Sequence, residues 1–478
     1  ALVSVTMAVP TLGPKATYGQ MLAFALMMSI GIGCLALPVN VRRAGLVGSI
    51  AATAYVCAMM IYCMLAMLRA KERCDARGRR INTYQDLGNE LLGGPPGRRA
   101  VEVAIVGFQF LVLCVYVEFF SVTLDVLCGA AFGGATMWPW AVLAYPCLCV
   151  ACCLRFLKDL GVVAQVATAA YVAAWCLVIG ACVAKLAGRG SAENARWRPS
   201  SSGGVDAPLA VLNLYEALCY AFEGVPSALP QMVDTLDDRG RAAELLVTAL
   251  SGISLVYLAT ELLGAFAYAD PEDPITLNLI DSYNITPLPV VANAALLGAI
   301  FLKYPLQFYP LIAIFERNVG VGPGAKYPPV RRRRAGSFAL SPKGSEAAPL
   351  LFADDDDDDC TDDHAGGLNG RADSIWIQPD EGGLAAVILR CTVVALSVAV
   401  ALAIGNLTLL IDLAGCLFAP LLAFVFPLLF DVVLYSQGDS DRTALHIRAT
   451  VLMIGITVAA MLVGTAILVV DVAAVLAR

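Results

Sequence analysis

The sequence predicts an all-α polytopic membrane protein of about eleven transmembrane helices, a five-plus-five inverted repeat whose helices one and six are discontinuous. Three observations carry this expectation. The 478 residues are 59% hydrophobic and 15% charged, with a mean hydropathy of +0.74, far to the apolar side of a soluble domain. Apolar runs of about 20 residues, each long enough to cross a hydrocarbon core as a helix, recur from end to end without the alternation of an outer-membrane strand. The stretch SIGIGCLALP at 29–38 interrupts the first run with two glycines and a proline, and AFEGVPSALP at 221–230 echoes it in the sixth.

In chain order the expected spans are 18–40, 45–68, 100–124, 136–153, 160–184, 209–230, 242–268, 288–315, 385–405, 407–433 and 446–474. The first is preceded by a single Lys15 and followed by no small-residue cleavage pattern, so it reads as a span and 1–17 as a cytosolic tail. The fourth holds CLCVACC, but a CxxC inside an apolar helix with no histidine beside it reads as packing, as do most of the 16 cysteines. Because each half contains five spans, an odd number, the second half enters the membrane from the opposite face. An Asn-Ile-Thr sequon at Asn284 falls between spans seven and eight as a candidate glycosylation site. That at Asn406 lies too close to a span.

Orientation follows from the basic residues. With the N-terminus cytosolic, 23 of the 32 Lys and Arg lie on that side and seven on the other, with Lys303 and Arg390 inside spans. The segment 316–384 separates spans 1–8 at 18–315 from spans 9–11 at 385–478 and reads as a disordered cytosolic loop. Its DDDDDD run at 354–359 lacks EF-hand spacing and reads as a solvated acidic tract. RRRRAGS places arginines before Ser337 as in substrates of basophilic kinases, and Glu346, Leu350 and Leu351 form an acidic dileucine address for a sorting adaptor. No serine–histidine pair, paired-carboxylate site, Walker loop or metal motif is present, so neither enzyme, cofactor, metal nor nucleic-acid partner is expected.

A helix broken inside a bilayer leaves backbone N–H and C=O groups without intrahelical partners, tolerated only where protein or a polar cavity satisfies them. N–H groups opening the half-helix after Gly33 suit a carboxylate, and carbonyls left by the preceding half suit an ammonium. A zwitterionic amino acid carries both. Glu223 is an ionisable side chain inside the second break, placed to bind an amine or carry a proton, or else to clasp two helices. Glu118, Glu261, Asp412 and Asp471 are weaker candidates of the same kind.

GIGCLALPVNVRRAG at 31–45, YEALCYAFEGVPSALP at 215–230 and YPLQFYPLIAIFE at 304–316 resemble the amino acid/auxin permease family, above all its proton-coupled and vacuolar branch. The resemblance covers roughly 18–474 apart from the inserted loop. It implies a five-plus-five inverted repeat with substrate between spans one, six, three and eight. Carried over residue by residue, it implies substrate contacts from Ser29, Ile30, Gly31, Ile32 and Gly33, from Phe222, Glu223 and Gly224, from Tyr116, and from Tyr304 and Phe308. Sodium-coupled relatives place a hydroxyl residue near the position of Lys303; a lysine there substitutes a fixed, titratable cation, the alternatives being snorkelling or a carboxylate partner. Proton-coupled animal members share a histidine in span one where this chain has Phe24, and its own histidines, His364 and His446, fall in or beside loops.

The expectation is a secondary active transporter of small neutral amino acids working by alternating access, with Glu223 and Lys303 coupling it to protons. A vacuolar or lysosomal membrane is favoured, the plasma membrane being the alternative. Two rival readings are a sodium-coupled amino-acid transporter and a sensor that binds an amino acid and signals through the cytosolic loop without net flux.

Overall fold

The computed structural model describes residues 16–29, 31–79, 81–132, 137–153, 157–189, 207–222, 224–268, 275, 287–321, 383–438 and 443–476. The candidate sites Ile30, Glu223, Asn284, Ser337, Glu346, Leu350 and Leu351 lie outside these residues, as does His364. The first helix, α1 (Tyr18–Ser29), stops just before Gly31, and α2 (Gly33–Ala76) starts at the next glycine. Pro38 lies inside α2, where its missing N–H and its ring break one backbone hydrogen bond.

The loop expected at 41–44 is absent. Instead α2 runs on, and a single residue, Gly45, turns the chain with φ 78° and ψ 162°, a conformation an L side chain resists. One turn on, the hydroxyl of Ser49 donates to the Gly45 carbonyl at 2.8 Å. The first and second passages are thus joined by one glycine.

The chain continues through α3 (Tyr84–Leu91), α4 (Pro95–Phe132), α5 (Met137–Cys153), α6 (Leu157–Arg189), α7 (Ala207–Phe222), α8 (Gly224–Thr235) and α9 (Ala242–Ala267). It ends with α10 (Pro287–Val319), α11 (Gly383–Ile404), α12 (Leu407–Leu417), α13 (Phe426–Ser436) and α14 (Ala444–Leu476). Eight stretches of described helix are long and apolar enough to cross a membrane, and Trp140–Cys153 is a shorter one. With the two broken passages, α1 into α2 and α7 into α8, the described residues account for the eleven expected.

Helix α3 was not foreseen from the pattern, since eight residues inside a basic loop show no membrane signature. Thr83 and Asp86 form a reciprocal capping box at its start, and one face of Tyr84, Leu87, Gly88 and Leu91 is buried. Its purpose in the packing is visible at the tenth span. There a π turn, Leu421–Val425, separates α12 from α13, and the Leu422 carbonyl has Pro427 as the residue five positions on, which lacks an N–H. The Tyr84 hydroxyl supplies the donor, 2.6 Å from the Leu422 oxygen.

Two groups of helices result. Helix α2 packs on α7 and α9, while α10 packs on α4 and α6, and α12 bridges α4, α7 and α14. The outer helix, α14, has only 17% of its apolar window buried, as expected for a helix facing lipid. At the face carrying the N-terminus, Ala16 exchanges backbone hydrogen bonds with Thr235 and Asp237, at 2.9 and 3.0 Å, which ties the entry of span one to the exit of span six. Beside it the buried Lys71 ammonium holds Asp75 at 2.9 Å and Asp234 at 3.0 Å. On the same face Glu102 joins Arg98 and Arg317, and Glu316 holds Arg390 at 2.7 Å.

The packing of α9 on α2 relies on a missing side chain, because a Cβ on Gly264 would lie 2.6 Å from Pro38 Cγ. Gly264→Ala is therefore expected to destabilise the protein by about 1–3 kcal/mol, measured as a lower thermal midpoint in detergent. Gly252→Ala on the same helix, whose Cβ would meet Leu26 Cδ2 at an ordinary 3.5 Å, should leave the midpoint unchanged.

Candidate substrate site at the paired helix breaks

The two interruptions meet. A Cβ on Gly33, the first residue of α2, would lie 3.0 Å from both Ala221 and Tyr220 of α7. One on Gly224, the first residue of α8, would lie 2.7 Å from the Met28 carbonyl oxygen at the end of α1. Each break therefore packs glycine against the last turn of the other half-helix. This close antiparallel approach is what the two related motifs make possible.

Tyrosines from other helices satisfy the carbonyls at the breaks. The hydroxyl of Tyr257, on α9, donates to the carbonyl of Ser29 and, at 2.7 Å, to that of Ala221. A phenol has one hydrogen, so the two carbonyls share it. The ring is fixed by Phe222, edge to face at 4.9 Å between centroids. From α6, the Tyr171 hydroxyl donates to the Gly31 carbonyl at 2.6 Å, and that oxygen also accepts from the Cys34 N–H at 3.2 Å and thiol at 3.1 Å.

Lys303 of α10 reaches the same place. Its Nζ lies 4.5 Å from the centroid of the Tyr171 ring, a cation–π contact one side chain removed from the Gly31 carbonyl. Tyr116 of α4 hydrogen-bonds Gln307 of α10, so span three reaches the helix that carries Lys303. Among the sequence-derived candidates the structure thus brings together Ser29, Gly31, Ile32, Gly33, Phe222, Gly224, Tyr116 and Lys303. Tyr304 turns elsewhere, its hydroxyl 2.8 Å from Ser397 of α11, and Phe308 is buried with no polar role.

One polar group at the breaks is left over. Ser29 is 3% exposed, and its Oγ has no hydrogen-bond partner among the described residues. The other acidic candidates are spread through the core. Glu261 accepts from Thr53 at 3.1 and 3.2 Å, while Glu118 is 1% exposed with Oε1 unpartnered. No three His, Cys, Asp or Glu side chains gather as metal ligands among the described residues. Sequence reasoning missed Tyr171, Tyr257 and Cys34. The available signal was a phenol inside each of two apolar helices, which needs a partner when buried.

The family model for the transmembrane amino acid transporter protein matches residues 14–470. The chain belongs to that family. It is 24% identical over 311 residues to the amino acid transporter ANT1 of Arabidopsis thaliana, a match covering 64% of this chain and 69% of the relative. It is 32% identical over 104 residues to amino acid transporter AVT3C of the same plant, 22% of this chain and 23% of that one. Among solved structures, that of MhsT in complex with L-phenylalanine covers 93% of this chain and 97% of its own, at a TM-score of 0.55 and 14% identity. That likeness shows a shared fold. As a member of this family the chain is a multi-pass membrane transporter of amino acids, with the paired breaks at its centre.

Replacing Tyr257 with Phe keeps the ring on Phe222 and removes the hydrogen that two carbonyls share. The expected loss is about 1–3 kcal/mol, the usual cost of leaving buried acceptors unsatisfied. Tyr171→Phe should cost less, because Gly31 keeps the Cys34 N–H and thiol. Thermal midpoints of the two variants, compared with the parent, give the order.

Proposed function

We propose that this family member is a secondary active transporter of small neutral amino acids that is coupled to protons and works by alternating access. The observation carrying the reading is the contact between the two breaks, with the orphaned Ser29 hydroxyl beside it. The helix start at Gly33 presents its positive end to a substrate carboxylate, and the carbonyl ends of α1 and α7 face an amine. Carbonyl oxygens carry two lone pairs, so those of Ser29 and Ala221, which share one tyrosine hydrogen, retain capacity for a substrate ammonium. Ile32 and Phe222 supply apolar walls, which suits an uncharged side chain.

Protons are preferred to sodium on the position of Lys303. Its ammonium lies over the ring that binds the Gly31 carbonyl, and a second cation nearby would be repelled. Glu223, placed by the sequence within the second break, is the companion group for coupling. Spans one, two, six and seven, which pack together as α1, α2, α7, α8 and α9, would rock against the others. The basic bias puts the N-terminal face in the cytosol, and the dileucine address at Glu346, Leu350 and Leu351 supports a vacuolar or lysosomal membrane.

A substrate panel in proteoliposomes, with and without an imposed pH gradient, tests this reading. Neutral amino acids should accumulate only with the gradient, and saturable binding without flux would instead support a sensor. Lys303→Ala and Glu223→Gln are each expected to abolish gradient-driven accumulation while leaving exchange of labelled for unlabelled substrate. Unchanged coupling in both variants would sink the proton assignment.

A further inference from the structure

A second acidic cluster is buried where span six meets spans ten and eleven, away from the breaks. Glu216 lies on α7 six residues before its end at Phe222, about 9 Å along the helix axis, and is 2% exposed. Asp412 on α12 is 6% exposed and lies three residues before Gly415, on the helix face that packs against the Glu216 backbone. Glycines on both neighbouring helices make room for the glutamate. A Cβ on Gly415 of α12 would collide with the Glu216 carbonyl, and one on Gly464 of α14 would collide with its Oε1.

Among the described residues, the groups around Glu216 are Tyr215 and Cys219 on its own helix, Asp412 and Cys416 on α12, and Gly464 on α14, none of them positively charged. Thr465 is turned toward the Cys416 sulfur at 3.8 Å, and Tyr55 of α2 lies behind Tyr215 at 6.4 Å between centroids. Independently of the acidic pairing, Glu216 Oε1 is an orphan, buried with no hydrogen-bond partner among the described residues. Two ionised carboxylates so placed would repel each other and would each lose their hydration. One proton removes a charge and turns one oxygen into a donor, which answers both problems.

We propose that Glu216 and Asp412 form a proton-binding site that holds one proton between them, distinct from the substrate site at the breaks. The site has a consequence for coupling, which rests on the alternating-access reading above. On that reading Glu216 moves with the bundle through α7, while Asp412 stays with the other helices, because α12 also packs on α4 and α14. Parting the two carboxyls relieves their repulsion and frees the proton; bringing them together requires it again. Both residues lie in the half of the membrane away from the N-terminal face, since α7 and α12 each start at that far face.

Infrared spectroscopy of the purified protein tests the site without reference to transport. At neutral pH one component of the protonated-carboxyl C=O stretch should disappear in Glu216→Gln and shift in Asp412→Asn. Persistence of every component, unshifted, in both variants overturns the proposal. In proteoliposomes with an entrapped pH dye, the proton movement that accompanies substrate should be lost in Glu216→Gln while substrate exchange continues, which also shows that the variant is folded. Retained proton movement in that variant rejects the coupling role. A parent protein with no amino-acid flux would reject the transporter reading, and the infrared result would still decide the site.

Discussion

The hydroxyl of Tyr257 donates to the carbonyls of Ser29 and Ala221, and much of the architecture depends on those carbonyls being satisfied. Inside a bilayer no water is at hand to accept or donate, so a helix can stop at mid-depth only where another part of the protein completes its hydrogen bonds. Tyr257 does this for two helices with one hydrogen, and Phe222 holds its ring in place. Span seven is thereby tied to spans one and six at the depth where both are broken. Tyr171 performs the same task for Gly31 from span five.

This arrangement explains why glycine recurs at the breaks. Phenol hydroxyls reach both carbonyl ends only if α1 and α7 approach within contact distance, and the missing side chains of Gly33 and Gly224 permit that approach. The same device appears at Gly264, which admits Pro38, and at Gly415 and Gly464, which admit Glu216. In a membrane, where lipid tails are as apolar as leucine, close packing of small residues and interhelical hydrogen bonds replace much of the hydrophobic drive that joins helices in water. The bundle is held by shape and by a few buried donors.

The polar groups of the core divide by whether they are answered. Glu261 has the Thr53 hydroxyl, Tyr304 has Ser397, and the Leu422 carbonyl of the π turn has Tyr84. These bonds are within the framework and fix helix to helix. Ser29 Oγ and Glu216 Oε1 have no partner among the described residues, and both lie where helices of the bundle meet other elements or a break. Groups left open at such places are the ones with capacity for a ligand or a proton.

The order of apolar runs, the positions of both breaks and the depth of Lys303 were legible in the sequence, because hydropathy and helix propensity are local sums over neighbouring residues. The family resemblance read from the motifs around those breaks agrees with the family match over 14–470. The single-glycine turn at Gly45, the short helix α3 and the π turn were not legible, since each is decided by one φ angle or one distant donor. Of the candidate site, the sequence located Ser29 and Gly31 but neither Ala221 nor the groups that bond these carbonyls. Tyr171 lies 140 residues from Gly31 and Tyr257 lies 228 from Ser29. Where a helix must break is written in its own glycines and prolines. What completes the break is settled only when the folded chain brings a phenol within hydrogen-bonding distance, a property of three-dimensional proximity that no local pattern contains.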